Sequence, residues 1–268
     1  MRWQGRENLL NLNLYIFPVM NIAPLGVKNL DEFVPGVGAT SLNLVYGPPG
    51  IGKTIFAMQF LAYGARRGEN ALYISLDESA TDVRRDFENM DIFIDELYVF
   101  DAVPITAGKA EVKPVREVTP ITKLSRMKDM GKKKTLFEAD ILSLKSTLKN
   151  VFDRIKFDRV VVDSITALRY FYMRGIVPDS GVHAFMRFLL TNSNAAVLIT
   201  ALDFDDLMLE KSIVDSVFKF ERDRKGTQLV VEKSATSCAL DVIPLSLTKS
   251  GFAVDEKFYL KYIKGRSR

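Results

Sequence analysis

The sequence predicts an α/β fold, with a mostly parallel central sheet flanked by helices and antiparallel strands added at its C-terminal end. Three observations predict it. Apolar runs at Leu42–Tyr46, Ala71–Leu76, Leu97–Phe100, Arg159–Asp163 and Ala196–Thr200 read as strands buried on both faces, with helical patterns between them. The octapeptide Gly47-Pro48-Pro49-Gly50-Ile51-Gly52-Lys53-Thr54 joins one of these strands to a helical run starting at Ile55. Past residue 215 the pattern changes to short strands, Val217–Phe220, Gln228–Val231 and Leu245–Thr248, joined by turns. With 268 residues and 47% hydrophobic content, the chain can bury one large core.

Residues 1–25 read as an N-terminal arm, and Met20 is an alternative start. Trp3, Leu14, Tyr15, Ile16 and Phe17 would be costly to expose together, so they need cover from the domain or from a neighbouring subunit. Gly26–Phe33 reads as a short helical segment closed by the turn Pro35–Gly38. No 18-residue apolar run is present, because Asn11, Asn13, Pro18 and Asn21 interrupt the stretch from Leu9 to Ile22. A membrane span is therefore not expected. One cysteine, Cys238, excludes an internal disulfide and suits a cytoplasmic location. His183 sits in a helical pattern and reads as an ordinary helix residue.

The octapeptide matches G-x-x-x-x-G-K-[ST], in which backbone N–H groups wrap a β-phosphate, the lysine reaches the β- and γ-phosphates and the hydroxyl ligates Mg²⁺. The expected nucleotide-binding residues are Gly47, Pro48, Pro49, Gly50, Ile51, Gly52, Lys53, Thr54 and Ile55, with ATP and Mg²⁺ as the cofactors. Lys53 is also expected to act in catalysis, and Thr54 to bind the metal. Asp77 and Glu78 stand at the C-terminal edge of a strand, where open parallel sheets bind ligands, so either can orient an attacking water. Asp77 or Ser79 can instead cap the helix that starts near Ala80–Val83. Arg159-Val160-Val161-Val162-Asp163 is an apolar strand ending in aspartate, the Walker B pattern, with Asp163 expected to hold a water of the Mg²⁺ shell. Thr200, at the end of a further strand, is a candidate γ-phosphate sensor.

Between residues 101 and 135 nine basic residues face four acidic ones, a local charge of +5 that leaves −1 for the rest of the chain. Its prolines and glycines argue against one helix, so a basic insertion at about 102–135 is expected, followed by a helix over 135–156. The chain ends in a basic tail, residues 257–268, carrying Lys257, Lys261, Lys264, Arg266 and Arg268.

On GPPGIGKT, LYISLDES, RVVVDSITAL and ATSCALDVIPLSLTKSGFAV, residues Gly26 to Val254 resemble the RecA superfamily, within it the single-domain archaeal KaiC-like and RadA-paralogue ATPases. The resemblance implies a RecA-like P-loop ATPase domain over 26–256 and a homo-oligomeric ring, a hexamer included, with ATP between neighbours. It places the catalytic carboxylate on Asp77 or Glu78 and the Walker B role on Asp163. Two departures stand out. The family's Lys-x-Arg-Gly-Thr finger is matched here by Glu232-Lys233-Ser234-Ala235-Thr236, and a lost arginine finger slows phosphoryl transfer by about 10³–10⁵. The loop Leu202–Asp206, which binds DNA in recombinases, is acidic. The resulting expectation is a slow Mg²⁺-dependent ATPase whose nucleotide state controls assembly or binding of a protein partner. The alternatives are an accessory protein that binds single-stranded DNA through the basic segment 109–134, and a nucleotide-binding regulator without useful turnover.

Overall fold

Apolar strands with cover on both faces form the centre of the molecule. The structure, a computed structural model, describes residues 21–90, 97–102, 112–114, 141–172, 177–203, 207–224 and 226–266. In chain order these form β1 (Ile22–Ala23), a 3₁₀ turn (Leu30–Glu32), β2 (Val37–Gly38), β3 (Ser41–Gly47), α1 (Lys53–Ala65), β4 (Ala71–Ser75), α2 (Ala80–Asn89), β5 (Leu97–Asp101) and β6 (Val112–Pro114). There follow α3 (Ile141–Arg154), β7 (Arg159–Asp163), α4 (Ile165–Phe171), α5 (Pro178–Asn192), β8 (Ala196–Leu202), α6 (Met208–Ile213), β9 (Ser216–Asp223), β10 (Gly226–Lys233), β11 (Val242–Thr248), β12 (Gly251–Val254) and α7 (Glu256–Arg266).

Among the described residues ten strands make one sheet in the order β12-β11-β10-β9-β3-β8-β7-β4-β5-β6. The block from β9 to β5 is parallel, while β10, β11 and β12 add antiparallel at one end and β6 at the other. Alternate side chains of each strand go to opposite faces, so the fold has two cores. On one face Val45, Tyr73, Val161 and Leu198 pack with Phe56 and Phe60 of α1 and Val83 and Phe87 of α2. On the other, Leu44, Ile74, Val162 and Ile199 pack with Leu144 of α3, Leu168 of α4 and Phe185 of α5. The parallel register aligns Ser75 with Asp163 and Val45 with Thr200, which brings the strand ends to one edge.

β12 is an edge strand, and its backbone is not left open to a further chain. The Gln59 amide of α1 donates to Phe252 O (3.0 Å) and accepts from Phe252 N (2.7 Å), while Val254 N donates to Lys28 O (3.0 Å). A side chain thus stands in for the missing neighbour strand.

The parallel sheet and its antiparallel extension follow the sequence expectation, and several local readings need correction. Ala23 and Leu25 are buried in the first core, so Ile22–Leu25 is part of the fold and not of an arm. Gly26–Phe33 holds only the three-residue 3₁₀ turn, introduced by Asn29 at φ 64°. Val37–Gly38, read as a turn, pairs antiparallel with β1. The segment read as a basic tail is helical over Glu256–Arg266 and packs Phe258, Tyr259 and Tyr262 around Phe33, at ring-centroid distances of 5.7, 6.4 and 4.6 Å. Lys257, Lys261 and Lys264 occupy its exposed side. Residues 1–20, the basic insertion apart from 102 and the short β6, and residues 135–140 of the expected helix lie outside the described residues. Among the described residues no helix is long and apolar enough to cross a membrane.

Candidate nucleotide site

β3 delivers the phosphate-loop sequence to the edge of the sheet, and the loop turns directly into α1. Gly50 and Gly52 have φ of +69° and +104°, values that side chains rarely adopt. A Cβ at Gly52 would also lie 2.6 Å from the Phe252 ring, so the loop closes tightly on β12. Gly52 is the N-cap of α1, and no side chain caps the helix there. The first N–H groups of α1 therefore keep their capacity for an anion, at the positive end of the helix dipole. Lys53, half-buried, donates through Nζ to Gly47 O (2.9 Å) and Pro48 O (2.8 Å), folding over its own loop. Desolvation lowers its pKa, and the negative charges of Asp163 and Asp203 oppose the shift.

Asp163 ends β7 beside the loop. Its Oδ2 accepts from Thr54 Oγ1 (2.8 Å) and from Tyr73 Oη (2.7 Å), and its Oδ1 accepts from Thr200 Oγ1. The Thr54–Asp163 pair is a set of hard oxygen donors, of the type that suits Mg²⁺. Among the described residues no three His, Cys, Asp or Glu side chains are grouped to hold a metal alone, so a cation here would take further oxygens from phosphate or water. The residues present fit Mg²⁺ bound together with a nucleotide. Thr200, read as a γ-phosphate sensor, is fully buried and spends its hydroxyl on Asp163.

After β4 the chain makes a tight turn in which Ser75 Oγ donates to Glu78 O (2.7 Å) and accepts from Glu78 N (3.2 Å). Ser79, and not Asp77, caps α2, with Oγ accepting from Asp82 N at 3.3 Å. That leaves both carboxylates of the pair outside the cap. Only one of them lines the cleft beside the loop, a space of about 430 Å³: Glu78 shares it with Lys53 and Thr54, along with Met58, Asp86, Asn89 and Met90. Desolvation and the negative charges of Asp163, Asp86, Asp77 and Asp82 push the Glu78 carboxyl up to about 6. Asp77 is raised as well, by desolvation and by Asp163, against backbone hydrogen bonds that lower it.

The finger positions are committed within the chain. Glu232 accepts from Tyr46 Oη (2.5 Å) and from Lys211 Nζ (2.8 Å), and Lys211 also lies 4.2 Å from the centroid of the Tyr46 ring. The β9–β10 register shifts between Val231 and Lys233, a one-residue bulge. Lys233 Nζ then donates to Val214 O (2.5 Å), and Ser234 Oγ pairs with Thr236 Oγ1 (3.1 Å).

The sequence brought attention to Gly47–Ile55, Glu78 and Asp163, and the fold brings them together. It also adds Tyr73, which sequence reading passed over as a strand residue. The available signal was parity: Tyr73, Asp163 and Thr200 all point to the α1 face of adjacent strands. Leu202 ends β8 and Asp203 begins the turn after it, while 204–206 lie outside the described residues.

A family model described as ATPase: KaiC matches residues 23–235. A UPF0273 protein of Thermotoga maritima is 29% identical over 150 residues, 53% of this chain and 55% of that protein. A UPF0273 protein of Methanopyrus kandleri is 25% identical over 258 residues, 88% of this chain and 93% of that one. The DNA repair protein RadA of Mycolicibacterium smegmatis is 26% identical over 209 residues, 78% of this chain and 39% of RadA. The chain spans about half the length of the first of these relatives and of two UPF0273 proteins from Pyrococcus. In structure, a KaiC-like protein from Pyrococcus horikoshii OT3 superposes with a TM-score of 0.63 at 18% identity, covering 88% of this chain and 99% of that one, which shows the shared fold. With the family model matched over most of its length, the chain belongs to the KaiC ATPase family of the RecA superfamily.

Proposed function

We propose that this KaiC-family nucleotide-binding domain takes Mg·ATP at the loop cleft, hydrolyses it slowly, and uses its nucleotide state to control assembly or binding of a protein partner. The observation that carries the reading is the uncapped N-terminus of α1, with Thr54 bonded to Asp163 and lining the same cleft as Glu78. Loop N–H groups from Gly50 to Thr54 and the Lys53 ammonium bind phosphate oxygens, Pro48 and Pro49 having no N–H to give, and Ile55 continues the helix that presents them. Thr54 and Asp163 would hold Mg²⁺, which when bound neutralises developing phosphate charge. Glu78 orients water and accepts its proton, with Asp77 beside it as the weaker candidate for that role. Slow turnover follows from Glu232 and Ser234, which supply no basic group to a neighbour's site and are engaged in their own chain. A homo-oligomeric ring and a cytoplasmic location fit the same reading.

At about 100 times its Kd, Mg·ATP is expected to stabilise the fold by roughly 2.7 kcal/mol, a rise in Tm on the order of 5–10 °C for a chain of this size. Differential scanning fluorimetry of Lys53→Ala should show most of that rise lost, and an equal rise in the variant would remove the loop from nucleotide binding. Light scattering on the same samples should record a larger mass with ATP than without it.

Single-stranded DNA is a second reading, favoured by the row Lys257, Lys261 and Lys264 on the exposed side of α7. The affinity for a labelled single strand, measured by anisotropy, should then fall on a log scale with log salt at a slope of roughly −2, for about three neutralised phosphates. Glu at Lys132, Lys133 and Lys134 is expected to abolish the binding through segment 109–134. Loss confined to the α7 lysines would place the footprint there, and a wild type that binds nothing at low salt removes the reading.

A further inference from the structure

The Asp163 carboxylate is gripped from three directions. Thr54 on the phosphate loop donates to Oδ2, Tyr73 on β4 donates to the same oxygen, and Thr200 on β8 donates to Oδ1. β4 and β8 are the two strands that flank β7, so the last two donors hold Asp163 from both sides of its own strand. The two also differ from Thr54 in burial. Tyr73 is 1% exposed and Thr200 fully buried, whereas Thr54 is only partly buried and lines the cleft. A buried hydroxyl keeps its partner because the alternative is an unsatisfied group in the core. Thr54 can turn toward another ligand, and water or phosphate can replace its bond.

Tyr73 does a second thing. Its ring meets Phe87 of α2 edge-on, centroids 5.8 Å apart at 83°. Phe87 lies in sequence between Asp86 and Asn89, two residues of α2 that line the cleft. One side chain thus touches both the Asp163 carboxylate and the helix that lends Asp86 and Asn89 to the cleft.

We propose that Tyr73 and Thr200 are positioning residues that hold the Asp163 carboxylate toward the phosphate loop, and so set how tightly a divalent cation binds together with nucleotide. The proposal rests on the reading of Asp163 as a partner of that cation. With both hydroxyls in place, Asp163 keeps its orientation when Thr54 leaves it, so the carboxylate needs no reordering on cation binding. Without one of them the carboxylate swings in the space left, and the cation meets a less organised oxygen.

The test uses the full chain and a fluorescent ADP analogue, titrated with Mg²⁺ at fixed nucleotide, so that no turnover is involved. For Tyr73→Phe the Mg²⁺ midpoint should rise at least fivefold, while nucleotide affinity in EDTA stays within twofold of wild type. Thr200→Val should raise the midpoint in the same direction, and Thr200→Ser, which keeps the hydroxyl, should restore it. The Thr200 pair decides the matter should Tyr73→Phe fold poorly by circular dichroism. Equal loss of affinity with and without Mg²⁺ would mean a general structural role and overturn the proposal. Unchanged midpoints in folded variants of a wild type that does respond to Mg²⁺ would overturn it too, and would leave the nucleotide reading standing. A wild type whose binding is indifferent to Mg²⁺ would overturn the cation role of Asp163 and this proposal with it.

Discussion

Arg159→Ala is expected to destabilise the fold by about 3–5 kcal/mol, the range for truncating a large buried side chain to alanine, and to lower Tm by on the order of 10 °C or more. Arg159 opens β7 at the end of the sheet opposite the cleft and has no exposed surface. Its Nε donates to Glu69 Oε2 (2.5 Å), and its Nη1 donates to Pro24 O (2.6 Å) and Phe60 O (3.1 Å). The guanidinium lies 4.6 Å from the Phe60 ring centroid and 5.5 Å from that of Tyr63. Even the backbone makes room for it: a Cβ at Gly64 would come within 2.3 Å of Arg159 Nε. Alanine would leave a cavity, two carbonyls without this donor and a carboxylate without its partner. Lysine should recover little, because a single ammonium cannot reproduce a planar fork aimed at three acceptors. Thermal melts of both variants check this, and an Arg159→Ala shift under 3 °C would show that the pair contributes no net stability. Nucleotide-dependent stabilisation should persist in folded Arg159→Ala, since none of these contacts touches the loop.

Arg159 also shows where the sequence stops being legible. An arginine before three valines reads as a flank of a Walker B strand, and nothing local says that it will be the largest fully buried side chain among the described residues. Its acceptors lie 90 to 135 residues away, so only the assembled fold reveals them. Gly47–Thr54 is the contrary case. Its geometry is local, set by glycines and by the adjoining strand and helix, and such motifs are visible in eight residues. The parallel strands were legible for a similar reason, because burial on both faces leaves continuous apolar runs such as Val160–Val162. α7 was misread because Phe258, Tyr259 and Tyr262 were overshadowed by its lysines, and their partner Phe33 lies far back in the chain. Among the site residues, Glu78 and Asp163 could be found from strand ends. Tyr73 could not, because its hydroxyl matters only once β4 and β7 are known to be neighbours.

Glu78→Gln is expected to keep nucleotide binding and lower turnover at least tenfold, since a positioned general base contributes about 10²–10⁴. Glutamine keeps the size of the side chain, so phosphate contacts from the loop and Lys53 stay intact and the loss should appear in kcat rather than KM. The carboxyl is pushed up to about 6, so wild-type turnover should rise as pH climbs through that value and the basic form fills. Stability should move the other way. A folded-state pKa near 6 against an ordinary 4.5 means that the folded chain binds more protons than the unfolded chain between those values, so stability falls as pH rises across that window. Glu78→Gln should remove both dependences, the gain in turnover and the loss in Tm, leaving the part of the Tm profile that Asp77 contributes, since its carboxyl is raised in the same direction. Single-turnover assays and thermal melts from pH 4.5 to 8 measure the two together. If Asp77→Asn abolished turnover and Glu78→Gln did not, the water-orienting carboxylate would be the residue outside the cleft lining, and the turn held by Ser75 would have to rotate by one residue when nucleotide binds.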